Sequence, residues 1–183
     1  FNCQEFYGAS KVCGEMLLRA LHNRELHKGR GFEYVGLRYM NVYGPRQDDK
    51  GAYVGVIVRM LNAMDEGEQP IVHGDGSQAY DFVDVRDCAR ANLLAMESDV
   101  SDRYYNVGTG IKTSIATLAQ QLTDKHPLKL GARFESASRQ FVKNRVGATE
   151  RARGEIRFSA EIHLESGLLD FINWRSLGRS KPL

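Results

Sequence analysis

Phe6-Tyr7-Gly8-Ala9-Ser10-Lys11 places a tyrosine and a lysine four residues apart at the start of a predicted helix. Side chains at positions i and i+4 share one face of a helix, so we expect the Lys11 ammonium beside the Tyr7 phenol. A neighbouring cation favours the charged form of a phenol, and a tyrosine that ionises near neutral pH can act as a general base. The same spacing also arises by chance, so the catalytic interpretation depends on the residues that follow.

Composition and charge are those of an ordinary globular protein. The chain has 183 residues, of which 42% are hydrophobic and 26% charged. The formal net charge is +2, and the charges of both signs are interspersed, which predicts no nucleic-acid partner. No apolar run reaches the length that spans a bilayer, so no membrane association is predicted.

The cysteine pattern argues against a disulfide framework and a zinc site. Cys3, Cys13 and Cys88 are odd in number, widely separated, and include no Cys-x-x-Cys pair. This usage is typical of a reducing compartment, so the sequence predicts a cytoplasmic protein without a metal.

Helices and strands alternate along the chain, which predicts an α/β fold with a parallel sheet. A helix is predicted over residues 9–27, with an apolar stripe that includes Val12, Met16 and Leu21, and a strand over 32–38 follows it. The remaining predictions are helices over residues 53–66, 87–96, 113–125, 149–156 and 164–174, strands over 70–73, 79–83, 104–107 and 132–136, a loop over 138–144, and a tail over 176–183.

Two segments mark places where a ligand could bind. Tyr39-Met40-Asn41-Val42-Tyr43-Gly44-Pro45 follows the first predicted strand, and ligands of open α/β sheets bind at the carboxyl ends of strands. Gly74-Asp75-Gly76-Ser77 predicts a tight turn that requires positive φ.

The ordered set of motifs resembles the extended short-chain dehydrogenase/reductase family, in its NAD-dependent epimerase/dehydratase branch, and especially enzymes like UDP-glucose 4-epimerase. The resemblance covers nearly the whole chain. It rests on Tyr7 with Lys11, on residues 38–46, on Gly74-Asp75-Gly76-Ser77-Gln78, on Asp81-Phe82-Val83-Asp84-Val85-Arg86-Asp87, and on Tyr105-Asn106-Val107-Gly108-Thr109-Gly110.

The resemblance implies the C-terminal part of a Rossmann-type parallel sheet plus a smaller α/β substrate-binding domain. Residues 1–48 would end the NAD-binding domain, 49–175 would mostly bind the nucleotide-sugar, with 79–110 partly returning to the Rossmann sheet, and 176–183 would form the tail. The family's glycine-rich phosphate turn and its catalytic Ser or Thr precede the Tyr-x-x-x-Lys helix. Neither is found here, and the chain begins at Phe1 without Met, so we expect the C-terminal half of an epimerase, inactive in isolation.

The resemblance also assigns the catalytic and cofactor residues. Tyr7 would be the base that takes the proton from the sugar hydroxyl while hydride passes to NAD. Lys11 would hydrogen-bond the nicotinamide ribose. Tyr39 and Met40 match positions that line the nicotinamide pocket.

The substrate residues follow from the same resemblance. Asn41 matches an asparagine that contacts the diphosphate, although it could instead be a turn residue that bonds its own backbone. Gly55 and Val56 match a backbone stretch near the nucleotide. Ile71 and His73 match the strand that borders the base, and His73 could equally be a partly buried strand histidine.

Two departures from the family pattern concern the diphosphate. Tyr80 stands where many members have an arginine, and it offers one hydroxyl in place of a bidentate cation. A late Arg-x-x-Asp pair is not recognisable: Arg139 and Arg145 lie in its neighbourhood, but Phe141 falls where the aspartate should be. Both arginines could instead belong to a solvated face.

The implied activity is an NAD-dependent 4-epimerase acting on a nucleotide-sugar, with UDP as the expected nucleotide. C4 would be oxidised to a ketone and then reduced from the other face. Alternatives are a dehydratase, reductase or decarboxylase on the same scaffold, or, for this chain alone, a non-catalytic module. The family uses the helix over residues 9–27 to form dimers, so a homodimer is expected for the parent.

Overall fold

The computed structural model describes residues 6–51, 54–136 and 143–179. Within them the chain forms six α-helices and nine short strands. The helices are α1 (Phe6–His27), α2 (Val56–Asp65), α3 (Val85–Met96), α4 (Ile115–Lys125), α5 (Glu150–Ile156) and α6 (Leu164–Arg179). The strands are β1 (Val35–Tyr39), β2 (Asn41–Tyr43), β3 (Ile71–His73), β4 (Ala79–Tyr80), β5 (Phe82–Asp84), β6 (Arg103–Val107), β7 (Thr113–Ser114), β8 (Arg133–Glu135) and β9 (Asn144–Arg145).

Parallel pairing dominates the sheets, as the alternation of helices and strands predicts. β1 runs parallel to β6, with Val35 opposite Arg103 and Tyr39 opposite Val107. β2 runs parallel to β5, and β3 to β8. β4 lies between β7, which is antiparallel to it, and β9, which is parallel. The predicted α/β class is therefore confirmed, since parallel strands require crossover connections of this kind.

The buried side chains form two clusters. One joins α2, α4 and α6 through residues such as Met64, Leu118 and Phe171. The other joins β5, β6, α3 and α5 through residues such as Val83 and Tyr105. The division into residues 1–48 and 49–175 stays a prediction.

The first helix begins earlier than predicted. It starts at Phe6, three residues before the expected position, and none of its residues is buried. In the predicted apolar stripe, Val12 and Leu21 are half-buried, whereas Met16 is exposed. Polar contacts connect this helix to the segments that follow it.

These polar contacts fix the direction of α1 along β1. Arg38 Nε donates to Glu15 Oε1 at 2.6 Å, and the Tyr104 hydroxyl donates to the Glu15 carbonyl at 2.7 Å. Farther along the helix, His22 Nδ1 lies 2.5 Å from the Phe32 carbonyl oxygen. Residues early in α1 therefore contact residues late in β1, and later residues of the helix contact the segment before the strand. The helix runs antiparallel to β1, and its N-terminus projects past the carboxyl end of that strand.

Acid is expected to loosen α1. Asp102 accepts hydrogen bonds from the Tyr34 hydroxyl and from Arg19 Nε, and these partners hold the pKa of its carboxyl below the ordinary value. A lowered folded-state pKa contributes stability that is present above the unfolded value near 4 and is lost as pH falls through the folded value. The protection of α1 amides, measured as exchange rates normalised to the intrinsic rate at each pH, should therefore fall as pH drops below about 4.

The Asp102→Asn variant is the control for this acid effect. Its α1 amides should have low protection near neutral pH, and that protection should change little further below about pH 4. Equal acid-induced loosening in the variant and the wild type would assign the effect to other carboxyl groups.

Several element boundaries also differ from prediction. The strand expected over residues 79–83 is two strands, β4 and β5, that separate at Asp81 and pair with different neighbours. The loop expected over 138–144 ends in β9, because Asn144 and Arg145 pair with β4, and residues 137–142 lie outside the described part. The expected tail begins inside a helix, since α6 continues to Arg179.

Gly167 lets α6 approach the sheet closely. A Cβ atom at this position would overlap Tyr43 Oη and lie 2.9 Å from Asp84 Oδ2. Both neighbours are buried, so neither can move without disturbing the core. We expect Gly167→Ala to lower the free energy of unfolding by about 1–3 kcal/mol through overpacking, as measured by chemical denaturation.

Gly178→Ala in the same helix is the matched control. A Cβ atom at Gly178 meets nothing within 4 Å, so the higher helix propensity of alanine should leave stability unchanged or slightly increased. Equal effects of the two substitutions would contradict the close approach at Gly167.

Candidate functional site

A cavity of about 480 Å³ lies between α2, β3 and the strands β2, β4, β5 and β9. Its wall combines aliphatic and aromatic side chains with two arginines, two glutamines, one asparagine and one glutamate. The lining residues are Asn41, Val56, Arg59, Met60, Ala63, Glu68, Gln69, Ile71, His73, Gln78, Tyr80, Phe82, Ile115 and Arg145.

One face of α2 forms a wall of the cavity. Val56, Arg59, Met60 and Ala63 recur at helical spacing and all line it. Gly55 is the N-cap of this helix and makes no side-chain capping bond, and the first turn contains no acidic residue. The helix dipole therefore presents uncompensated positive potential at the end of α2 that borders the cavity.

The strand β3 supplies the wall next to α2. Alternation along the strand buries Val72 and leaves Ile71 and His73 on the opposite face, where both line the cavity. Gln78, another lining residue, donates from Nε2 to the His73 carbonyl at 3.0 Å. The predicted turn between them is confirmed, because Gly74 has φ 77° and Gly76 has φ 71°.

Tyr80 and Arg145 lie side by side. They are directly opposite in the parallel β4·β9 pair, so both side chains project from the same face of that sheet. The Tyr80 ring also meets the Phe82 ring edge-on, with the ring centroids 6.3 Å apart. A tyrosine hydroxyl and a guanidinium group are therefore carried next to each other at the cavity wall.

Asn41 is held in place by the neighbouring strand connection. Its backbone N–H and its side-chain Nδ2 both donate to the Asp81 carbonyl, at 2.9 Å and 3.0 Å. The side chain thus bonds a backbone group 40 residues away, not the backbone of its own turn. Asn41 is also one of the residues that line the cavity.

Asp81 organises the segments around this asparagine. Its carboxylate is fully buried, and its Oδ1 accepts from the Thr109 N–H at 2.9 Å and the Thr109 hydroxyl at 2.6 Å. Oδ2 accepts from the Gly110 N–H at 2.9 Å and the Gly147 N–H at 3.3 Å. The Asp81 N–H donates to the Arg145 carbonyl at 2.9 Å. One residue therefore connects the loop after β6 with the segments that carry Asn41 and Arg145.

The cavity brings together most of the residues assigned to substrate by resemblance. Six of them line it: Asn41, Val56, Ile71, His73, Tyr80 and Arg145. Gly55 directly precedes the cavity wall as the cap of α2, and Arg139 lies outside the described residues. Their roles in binding stay predictions.

Sequence reasoning missed other members of the cavity. Arg59, Gln69 and Gln78 line it, and Arg59 could have been found because it lies three residues after Val56 on one helical face. The buried carboxylate of Asp81 also went unnoticed, although an acidic residue inside an apolar strand indicates a structural partner.

Tyr7 and Lys11 meet on the first helix as their spacing predicts. Lys11 Nζ lies 5.1 Å from the centroid of the Tyr7 ring. Tyr7 is 72% exposed, and Lys11 is exposed as well. Because α1 runs antiparallel to β1, the pair is carried past the carboxyl end of that strand and does not line the cavity.

Tyr39 and Met40 lie at the carboxyl end of β1. The Tyr39 hydroxyl donates to Asn92 Oδ1 at 3.0 Å, and the Met40 N–H donates to the Val107 carbonyl at 2.9 Å. Neither residue lines the 480 Å³ cavity. Tyr39 and Met40 thus lie at the carboxyl end of β1, directly before Asn41, which lines the cavity.

No helix in the described ranges is long and apolar enough to cross a membrane.

Comparison with known proteins gives consistent matches. The model of a family described as the NAD dependent epimerase/dehydratase family matches residues 1–108. A protein of Methanocaldococcus jannaschii, provisionally named UDP-glucose 4-epimerase, is 38% identical over 174 residues, which are 92% of this chain and 52% of that protein.

Two solved structures share the fold. UDP-N-acetylglucosamine 4-epimerase from Methanobrevibacter ruminantium, in complex with UDP-N-acetylmuramic acid, has a TM-score of 0.87 and 30% identity over 97% of this chain and 56% of that one. UDP-glucose 4-epimerase from Thermotoga maritima, with UDP-glucose, has a TM-score of 0.85 and 30% identity over 95% of this chain and 54% of that one. The chain spans about half the length of the relatives it matches.

Proposed function

Because the chain belongs to the NAD-dependent epimerase/dehydratase family, we propose that it provides the substrate cavity and the catalytic tyrosine of a 4-epimerase acting on a UDP-sugar. The observation that carries this proposal is the convergence of Asn41, Val56, Ile71, His73, Tyr80 and Arg145 on one cavity. These residues are far apart in sequence, and the family resemblance assigns all of them to the same ligand.

The cavity suits a nucleoside diphosphate in size and chemistry. Its volume of about 480 Å³ lies in the range of small-molecule sites, about 300–1,000 Å³. Val56, Met60 and Ile71 offer apolar surface to a base and a sugar ring. Arg59, Arg145 and the exposed end of α2 offer positive charge to phosphates.

Tyr7 and Lys11 suit the proton-transfer step. The Lys11 ammonium lies 5.1 Å from the centroid of the Tyr7 ring, so both groups can contact one ligand. The Tyr7 oxygen then takes the proton of the C4 hydroxyl and returns it after the sugar has turned over. Lys11 has further N–H donors for a ribose hydroxyl.

The cofactor residues suit NAD in type and location. Lys11, Tyr39 and Met40 combine a donor with aromatic and thioether surface at the carboxyl end of β1, where doubly wound sheets bind dinucleotides. NAD, when bound, supplies the hydride acceptor for C4 oxidation, and the protein supplies orientation and proton handling.

A homodimer in the cytoplasm completes the proposal. Met16, Leu17 and Leu26 of α1 are exposed, and the family resemblance assigns this helix to the contact with a second copy. Burial of such side chains stabilises an interface by about 25 cal/mol per Å² of apolar area.

Ligand binding and product analysis test the proposed function. We expect the chain to bind UDP and UDP-glucose in calorimetry. With added NAD, it should not epimerise UDP-glucose. The chain together with any residues that its gene encodes before Phe1 should invert C4 of a UDP-sugar. Loss of water or CO2 from the sugar in place of inversion would contradict the epimerase assignment, and absence of UDP binding would contradict the substrate class.

A further inference from the structure

Two guanidinium groups approach the cavity from different elements. Arg59 comes from α2, and Arg145 comes from β9, next to Tyr80. Both side chains are exposed, and neither forms an ion pair with a carboxylate in the described ranges of the chain. Glu68 is the acidic residue among the described lining residues, so the wall carries an excess of one positive charge, two arginines against one glutamate.

Tyr80 by itself is a weak ligand for a diphosphate. The Tyr80 hydroxyl can donate a single hydrogen bond, whereas a guanidinium donates two parallel bonds and carries a charge. Arg145 projects from the same face as Tyr80 because the two residues are opposite in register. Arg145 therefore lies beside Tyr80 and supplies the charge that the tyrosine lacks.

Arg59 supplies the second cation from the helical wall. It lies three residues after Val56, so both face the cavity. Its backbone N–H is used by the helix, donating to the Gly55 carbonyl at 3.0 Å, but its guanidinium has no partner among the bonds of the described residues. The uncapped start of α2 adds positive potential within one turn of it.

We propose that Arg59 and Arg145 together bind the diphosphate of the substrate, Arg59 from α2 and Arg145 from β9. The inference rests on the proposed function and specifies its binding determinants. Arg59 is then a substrate-binding residue that the family motifs do not identify.

The experiment compares uridine, UMP and UDP as probes for the intact chain, with affinities measured by calorimetry or NMR titration. Wild type should bind UDP more tightly than uridine. Arg59→Gln and Arg145→Gln should each weaken UDP binding about 10–100-fold, since bonds to charged groups are the strong class, and leave uridine binding within about 2-fold of wild type.

Three further variants test whether UDP binding depends on the position of the charge and on the planar geometry of the guanidinium. Arg153→Gln removes the same charge from an exposed position of α5 outside the cavity, and should leave UDP binding unchanged. Arg59→Lys keeps the charge but loses the planar fork, and should fall between wild type and Arg59→Gln. Tyr80→Arg in the Arg59→Gln background should recover about 10-fold in UDP affinity.

Several results would overturn the inference. If Arg59→Gln binds UDP as wild type does, the diphosphate is held by other groups, while UDP binding by wild type still supports the proposed function. Parallel losses for uridine and UDP would assign Arg59 to the shape of the cavity. Failure of wild type to bind UDP would overturn the proposed substrate class itself.

Discussion

Replacement of Asp81 by alanine is expected to lower the free energy of unfolding by about 3–5 kcal/mol, since each buried polar group left without a partner costs about 1–3 kcal/mol. The carboxylate is fully buried and accepts from the N–H groups of Thr109, Gly110 and Gly147. Alanine offers no acceptor, so these N–H groups lose the partner that the carboxylate provides. A loss of this size is a large share of the total stability of a domain, about 5–15 kcal/mol.

Asp81→Asn should produce a smaller loss. The amide has one oxygen, which can serve either the Thr109 donors or the Gly110 and Gly147 donors, while its NH2 group faces the other set. Chemical denaturation of both variants, with Asp99→Ala as the control at an exposed position, measures the order. If Asp81→Ala were as stable as Asp99→Ala, the buried carboxylate would not hold these loops.

Replacement of Tyr7 by phenylalanine is expected to reduce kcat about 10²–10⁴-fold, the usual contribution of a general acid or base. The substitution removes the phenolic oxygen that takes the proton from C4, while the ring beside Lys11 remains. Tyr7 does not line the cavity, so UDP binding should persist. The measurement is steady-state epimerisation by the chain with any residues encoded before Phe1, alongside UDP titration.

Tyr43→Phe is the matched control for Tyr7→Phe. The Tyr43 hydroxyl is buried without a hydrogen-bond partner among the described residues, and burial raises the pKa of this phenol, so its removal should preserve both activity and stability. Full activity of Tyr7→Phe would reject the general-base role. A loss of UDP binding that parallels the loss of kcat would assign Tyr7 to the fold.

The sequence predicts local structure well where local chemistry decides it. Ser114 lies at the start of the helix predicted over residues 113–125, and its hydroxyl accepts from the Thr117 N–H at the start of α4. Ile57, Val58, Leu61 and Met64 recur at helical spacing in the helix predicted over residues 53–66, and all four are buried in α2. These features depend on neighbours within one or two helical turns.

The sequence predicts less where distant segments decide the outcome. The carboxylate of Asp81 reaches Gly147, 66 residues later, and no local pattern identifies that partner. Periodicity predicts the helix that contains Arg59, but it does not show what lies opposite that residue. The apolar stripe on α1 likewise predicts a helix, whereas burial of its residues also requires a partner surface.

The parallel pairing has a consequence for how the chain folds. Val35 pairs with Arg103, Ile71 with Arg133 and Ala79 with Asn144, so each of these contacts must close a loop of more than 60 residues. Such non-local topology slows folding towards the millisecond-to-second range. During synthesis β1 emerges from the ribosome well before β6 exists, and its edge stays unpaired in that interval. Chaperone binding should therefore be concentrated on chains that end between these two strands.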